Sequence, residues 1–170
     1  MPTVLFIIAP NDFRDEEYFI PKEILEANGI GVITANLNGT PSRSMFGKIV
    51  HVDKDIYSVN PSDFDGIVFV GGPGASIYFN NKKAHELART FYSEGKVVAA
   101  ICIAPSILAN AGILRNRRAT AWPSERNNIN TFGTYTGAAV EEDDNIITAN
   151  GPAAAKVFGE AILNKILEKS

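Results

Sequence analysis

Few residues in this chain have types and positions suited to chemistry. Cys102 is the only cysteine among 170 residues. It follows directly on the apolar run Val97-Val98-Ala99-Ala100-Ile101 and is itself followed by Ile103-Ala104-Pro105-Ser106. A strand that passes straight into a helix leaves no room for a relaxed loop, so the cysteine must occupy the turn. A nucleophile on such an elbow needs small residues two before and two after it. Ala100 and Ala104 are those residues. Pro105 suits the first helical turn, where its missing N–H costs nothing. A thiol in this place meets unsatisfied N–H groups and the positive end of the helix dipole, which favour thiolate. The alternative is a buried structural cysteine, since free cysteine is among the most buried residue types.

Two other segments accompany it. Gly71-Gly72-Pro73-Gly74 breaks the apolar run Asp65 to Val70. The N–H of Gly72 can form an oxyanion hole together with that of Ile103; the other reading is a tight turn that needs glycine for its backbone angles. Phe13-Arg14-Asp15-Glu16-Glu17 places three acids in a row. Acids at a helix start complement the dipole and normally face water. Glu17, however, precedes Pro21 by four residues, and Pro21 has no N–H for the Glu17 carbonyl, so the helix is expected to be irregular there. Tyr18, Phe19 and Ile20 carry the chain toward the core, so one carboxylate of the three can be drawn inward. His51 lies in a candidate edge strand and His85 on an exposed helix, both read as surface positions.

These segments need a scaffold, and the apolar pattern describes one. Val4–Ala9 reads as a strand buried on both faces; Ile30–Ala35, Asp65–Val70 and Lys96–Ile101 read as further strands, and Ile146–Ala149 as a later one. Lys48–Val52 reads as an edge strand, Arg118–Ala121 as a later strand, and Asn36–Gly47 as a loop or irregular hairpin. Helices are expected over Asp15–Ala27, Ala84–Gly95, Pro105–Ala111 and Pro152–Glu168. The alternation predicts an α/β fold with a mostly parallel, doubly wound sheet, taken as a single domain over 1–170. The three loops then share the carboxyl edge of the sheet, where such folds keep their sites.

Composition narrows the partners. At 45% hydrophobic, 21% charged and a net charge of −3, the chain has no electrostatic case for nucleic acid or a membrane surface. The N-terminal apolar run lacks a preceding basic segment and reads as a buried strand rather than a signal peptide. The expected location is cytoplasmic. One cysteine excludes an internal disulfide framework, and two distant histidines argue against a zinc site, so no metal is expected. The 71–74 loop is not a G-x-G-x-x-G fingerprint, and no cofactor is implied.

Taken together, the motifs resemble the DJ-1/PfpI (ThiJ/PfpI) superfamily along essentially the whole chain. The resemblance rests on Glu17-Tyr18-Phe19-Ile20-Pro21, Val70-Gly71-Gly72-Pro73-Gly74, Ser93-Glu94-Gly95-Lys96, Ala99 through Pro105, Ala111-Gly112-Ile113-Leu114 and Asn150-Gly151-Pro152. It implies a flavodoxin-like three-layer sandwich and a homodimer, to which the apolar stretch Tyr18 to Ile20 can contribute. It also implies that Cys102 is the reactive residue and that Glu17 is a protonated carboxyl beside it. Burial next to a thiolate raises a carboxyl pKa, so that protonation is physically sensible.

The departures from the family matter equally. PfpI-type members carry a histidine immediately after the cysteine, where this chain has Ile103, which argues against a cysteine peptidase. Glyoxalase-like members often carry a histidine at the position of Trp122. The pocket is expected to include Gly71, Pro73, Gly74, Ala104 and Trp122. Two functions follow from the resemblance. One is glyoxalase- or deglycase-like action on small reactive carbonyls, with Gly72 and Ile103 holding the oxyanion. The other is a non-catalytic redox sensor or chaperone in the oxidative-stress response, with oxidation of Cys102 to a sulfinate.

Overall fold

The computed structural model describes residues 1–170. In chain order its elements are β1 (Thr3–Ile7), β2 (Asn11–Phe13), α1 (Asp15–Ala27), β3 (Gly31–Asn36), β4 (Ser42–Ser44), β5 (Ile49–Val50), β6 (Lys54–Asp55), β7 (Gly66–Phe69) and α2 (Lys82–Ser93). They continue with β8 (Val97–Ile101), α3 (Pro105–Asn110), β9 (Arg118–Ala119), α4 (Arg126–Phe132), β10 (Thr134–Tyr135), β11 (Val140–Asp143), β12 (Ile146–Ala149) and α5 (Ala155–Lys169).

Seven strands form the central sheet in the order β11-β12-β8-β7-β1-β3-β6. Every neighbouring pair is parallel except β11–β12. Strands β7, β8 and β12 are buried at every residue, as β-branched and apolar runs covered on both faces must be. One core packs Leu87 and Phe91 of α2 and Ile107 and Leu108 of α3 against the sheet. The other packs Leu25 of α1 and Phe158 and Ile162 of α5 against the opposite face. This is the three-layer α/β sandwich that the alternation predicted.

Helix α1 runs unbroken through Pro21, without the expected irregularity. Gly159 of α5 explains how the ring is housed: a side chain there would begin 3.0 Å from Cα of Pro21. Gly29 ends the helix in the left-handed region, φ 77°. It lets Ile30 donate its N–H back to the Leu25 carbonyl at 3.0 Å. Tyr18 is turned into the core, where its hydroxyl meets that of Thr34 at 2.7 Å, so it is not free to line an interface as expected.

Two other expectations are corrected. The segment Lys48–Val52 is not the edge of the main sheet. Only Ile49–Val50 is extended, in a separate sheet of order β2-β4-β5, and Lys54–Asp55 forms the edge. Asn36 folds the intervening chain back by donating to the Thr40 carbonyl at 2.7 Å and the Ser42 hydroxyl at 2.9 Å. Met45 N–H then bonds the Phe13 carbonyl at 2.9 Å, tying the hairpin to the start of α1. The later strand at Arg118–Ala121 shortens to β9, which pairs with β10 outside the main sheet. Strand β11 escaped the pattern because Val-Glu-Glu-Asp has no apolar alternation; acids on an edge strand deter further pairing.

Candidate active site

The carboxyl ends of β1, β7 and β8 meet at one edge of the sheet and bring three separate segments together. Cys102 takes the turn after β8 with φ 65°, the left-handed region that a side chain makes costly by about 1–2 kcal/mol. The turn is pinned on both sides. Cys102 N–H donates to the Ala149 carbonyl at 2.9 Å, and its own carbonyl accepts from Trp122 N–H at 2.8 Å. The strained elbow expected from Ala100, Ala104 and Pro105 is therefore present.

Glu17 stands in the first turn of α1, and the three acids there do three different things. Asp15 accepts the Ser44 hydroxyl at 2.7 Å and the Phe46 N–H at 3.3 Å, which anchors the β4–β5 hairpin. Glu16 faces outward and pairs with Arg14 at 2.6 Å. Glu17 turns inward, is 0% exposed, and neither of its oxygens finds a hydrogen-bond partner. Burial pushes its carboxyl up to about 8, although the Cys102 thiol, Arg14 and the Gly71 N–H are near enough to pull it partly back. A carboxyl in that state holds its proton at neutral pH.

Gly71 permits this meeting. A Cβ there would strike Oε1 of Glu17 and come within 2.6 Å of both Cys102 Cβ and the Ile101 carbonyl oxygen. Gly72 adopts φ 100°, and a Cβ there would collide with the backbone N of Arg14. The N–H groups of Gly72 and Ile103 flank the cysteine turn, and neither donates to a backbone carbonyl.

The expected lowering of the thiol is corrected. Burial pushes Cys102 up to about 12, with ionised Glu17 adding to the rise and the Gly72 and Ile103 N–H groups opposing it. The dipole argument overestimated α3, which has six residues and starts only at Pro105. The contribution of Glu17 operates only when that carboxyl is ionised, above about 8.

A cavity of about 300 Å³ opens over the pair. Glu17, Cys102, Gly72, Ile103, Pro73 and Trp122 line it as expected. Gly71, Gly74 and Ala104 do not. Gly71 stands behind Glu17 and Cys102, a Cβ on Gly74 would run into the Asn11 carbonyl, and Ala104 is wholly buried. Arg14, Met45, Ser124 and Pro152 complete the wall and were not foreseen. Arg14 stood inside a segment already singled out, but nothing in its spacing distinguished it; Met45 and Pro152 arrive by long-range folding. His51 pairs with Asp53 at the surface and His85 meets the Phe79 carbonyl at 2.7 Å, so neither reaches the cavity. No cluster of three or more His, Cys, Asp or Glu side chains is placed to hold a metal ion. No helix is long and apolar enough to cross a membrane.

An elbow thiol beside a buried carboxyl at the carboxyl edge of a flavodoxin-like sheet defines a class, and the sequence agrees: the chain belongs to the DJ-1/PfpI family, matched over residues 2–165. Among its relatives is an uncharacterized protein of Methanocaldococcus jannaschii, MJ0967, 43% identical over 98% of this chain and 83% of that one. Another is Deglycase PH1704 of Pyrococcus horikoshii, 37% identical over 88% of this chain and 90% of its own. The crystal structure of a ThiJ/PfpI domain protein from Brachyspira murdochii superposes with a TM-score of 0.95 at 28% identity, covering 99% of this chain and 97% of that one.

Proposed function

We propose that this protein acts on small reactive carbonyls in the manner of a glyoxalase or deglycase, with Cys102 as nucleophile and Glu17 as proton carrier. The observation that carries the reading is the wholly buried, unpartnered Glu17 carboxyl, held beside Cys102 at the base of the cavity. A carboxyl titrating near 8 is suited to both giving and taking a proton at neutral pH. Relatives named deglycases support the substrate class.

With methylglyoxal, the sulfur bonds the aldehyde carbon and the carbonyl electron pair moves to oxygen. That oxygen takes the Glu17 proton while Glu17 regains the thiol proton. The carboxyl next gives its proton to the ketone oxygen and takes the C1 proton on its other oxygen. Glu17 then gives its proton to C2 of the enediol and takes the C1 hydroxyl proton, which leaves a thioester, and water releases lactate and the free thiol. The Gly72 and Ile103 N–H groups stabilise the oxyanion. No histidine assists, so turnover is expected to be slow. Purified protein should form lactate from methylglyoxal, and Cys102→Ser should lose that activity. Undiminished lactate formation by Cys102→Ser would remove this mechanism.

A redox role is the second reading, favoured by the Gly72 and Ile103 N–H groups beside the cysteine, which have no backbone acceptor of their own. Two equivalents of peroxide would convert the thiol through a sulfenic to a sulfinic acid, releasing one water at each step, and protonated Glu17 would donate to the sulfinate. Intact mass after mild peroxide should show two added oxygens on Cys102. An unmodified thiol would count against this role.

A further inference from the structure

Arg14 is the one cationic side chain in the wall of the Cys102 cavity. Its position is fixed at both ends. Its backbone N–H donates to the Gly71 carbonyl at 3.0 Å, within the same loop that meets Glu17. Its guanidinium lies over the Phe46 ring, 5.1 Å from the centroid. Nε and Nη2 both donate to a single oxygen of Glu16, at 3.0 and 2.6 Å. A guanidinium offers five N–H donors in a planar fork, so this pairing leaves the Nη1 edge unused.

The remaining wall sharpens the role of that edge. Glu17 keeps its proton below about 8 and the thiol is uncharged, so at neutral pH Arg14 carries the only charge on the wall. Pro73, Trp122, Met45 and Pro152 make much of the surrounding surface apolar. Charge-assisted bonds gain strength in such surroundings.

We propose that Arg14 sets the substrate preference of this site, which takes small electrophilic carbonyl compounds that also carry a carboxylate. The carboxylate pairs with the free edge of Arg14 while the carbonyl carbon meets the Cys102 sulfur. The inference rests on the carbonyl reading above for its reaction, but anion selection has its own readout.

Iodoacetate and iodoacetamide provide that readout. Both alkylate the same thiolate, forming a sulfur–carbon bond as iodide leaves, and they differ only in a carboxylate against a neutral amide. The ratio of their rates cancels the thiolate fraction, and with it any change that an Arg14 variant makes to the Glu17–Cys102 titration. Cys102 should favour iodoacetate over iodoacetamide about two- to fivefold more than a small free thiol does, the scale of a partly exposed ion pair. Arg14→Gln should return the ratio to the free-thiol value, and Arg14→Lys should retain part of the preference. Glu16→Gln should raise it by releasing the whole fork. Lys83→Gln, which removes a cation from α2, should leave it unchanged. A wild-type ratio equal to that of the free thiol, or a preference that survives Arg14→Gln, overturns the inference. Lactate formation from methylglyoxal separates the two claims. Turnover without the preference removes only the role of Arg14; preference without turnover removes the reaction and leaves the anion selection standing.

Discussion

Gly71 and Cys102 approach so closely that a Cβ on Gly71 would fall 2.6 Å from the Cβ of Cys102. The backbone of Gly71 is not left-handed, so its requirement is for space rather than for torsional freedom. Gly71→Ala should therefore cost about 1–3 kcal/mol, the usual range for overpacking, and should separate Glu17 from Cys102. Gly95→Ala is the contrast: it has φ 73° with nothing within 4 Å of the added carbon. Its cost should be conformational, about 1 kcal/mol, and should leave Cys102 alkylation unchanged. Urea unfolding and iodoacetamide kinetics of both variants check the distinction. Wild-type stability in Gly71→Ala would mean that the contact is not limiting.

The titration of Glu17 fixes the sign of one pH effect. Its carboxyl is raised from 4.5 to about 8 in the fold. Between those values the folded chain holds a proton that the unfolded chain has released, so stability falls as pH rises through this window. The slope for one proton is at most about 1.4 kcal/mol per pH unit. Glu17→Gln removes this group from the linkage. The variant should show its smallest advantage over wild type near pH 4.5 and gain steadily up to about 8. Urea unfolding of both proteins across that range tests the claim, and a pH-independent difference would refute it.

Alkylation of Cys102 reports the other half of the pair. Burial is the largest cause of the rise to about 12, and the charge of Glu17 is the next. The iodoacetamide rate of wild type should keep climbing well above the range of an ordinary thiol. Glu17→Gln should move that profile to lower pH, but not back to the ordinary value, because burial remains. A wild-type profile centred at or below the free-thiol range would contradict the assigned burial cost.

The legible part of this site was the part written in contiguous sequence. The elbow could be read because strand, cysteine and proline adjoin, and the central strands because each is an unbroken apolar run. Glu17 could not be told from Asp15 and Glu16 by pattern; its inward turn was implied by family resemblance and depends in space on Gly71. Arg14 gave no signal because its place in the cavity wall depends on Phe46 and on the hairpin that folds back across α1. The direction of the thiol shift is hidden from the sequence for a related reason. A helix start can be read locally, whereas burial of the sulfur depends on elements brought together from across the chain.

The left-handed backbone of Cys102 makes its own prediction. At an ordinary buried position, glycine is less stable than alanine because the unfolded chain gains freedom. At φ 65° the alanine Cβ carries a steric cost of about 1–2 kcal/mol that glycine avoids. Cys102→Gly should therefore equal or exceed Cys102→Ala in stability. Ala100→Gly, on the regular strand β8, should lose about 1 kcal/mol or more against wild type. Both replacements at 102 remove the sulfur and its desolvation, so their difference isolates the backbone. Denaturant midpoints of the three variants decide it. If Cys102→Gly falls about 1 kcal/mol below Cys102→Ala, as at a regular strand position, the turn does not hold the cysteine in a strained conformation, and the elbow loses its physical basis.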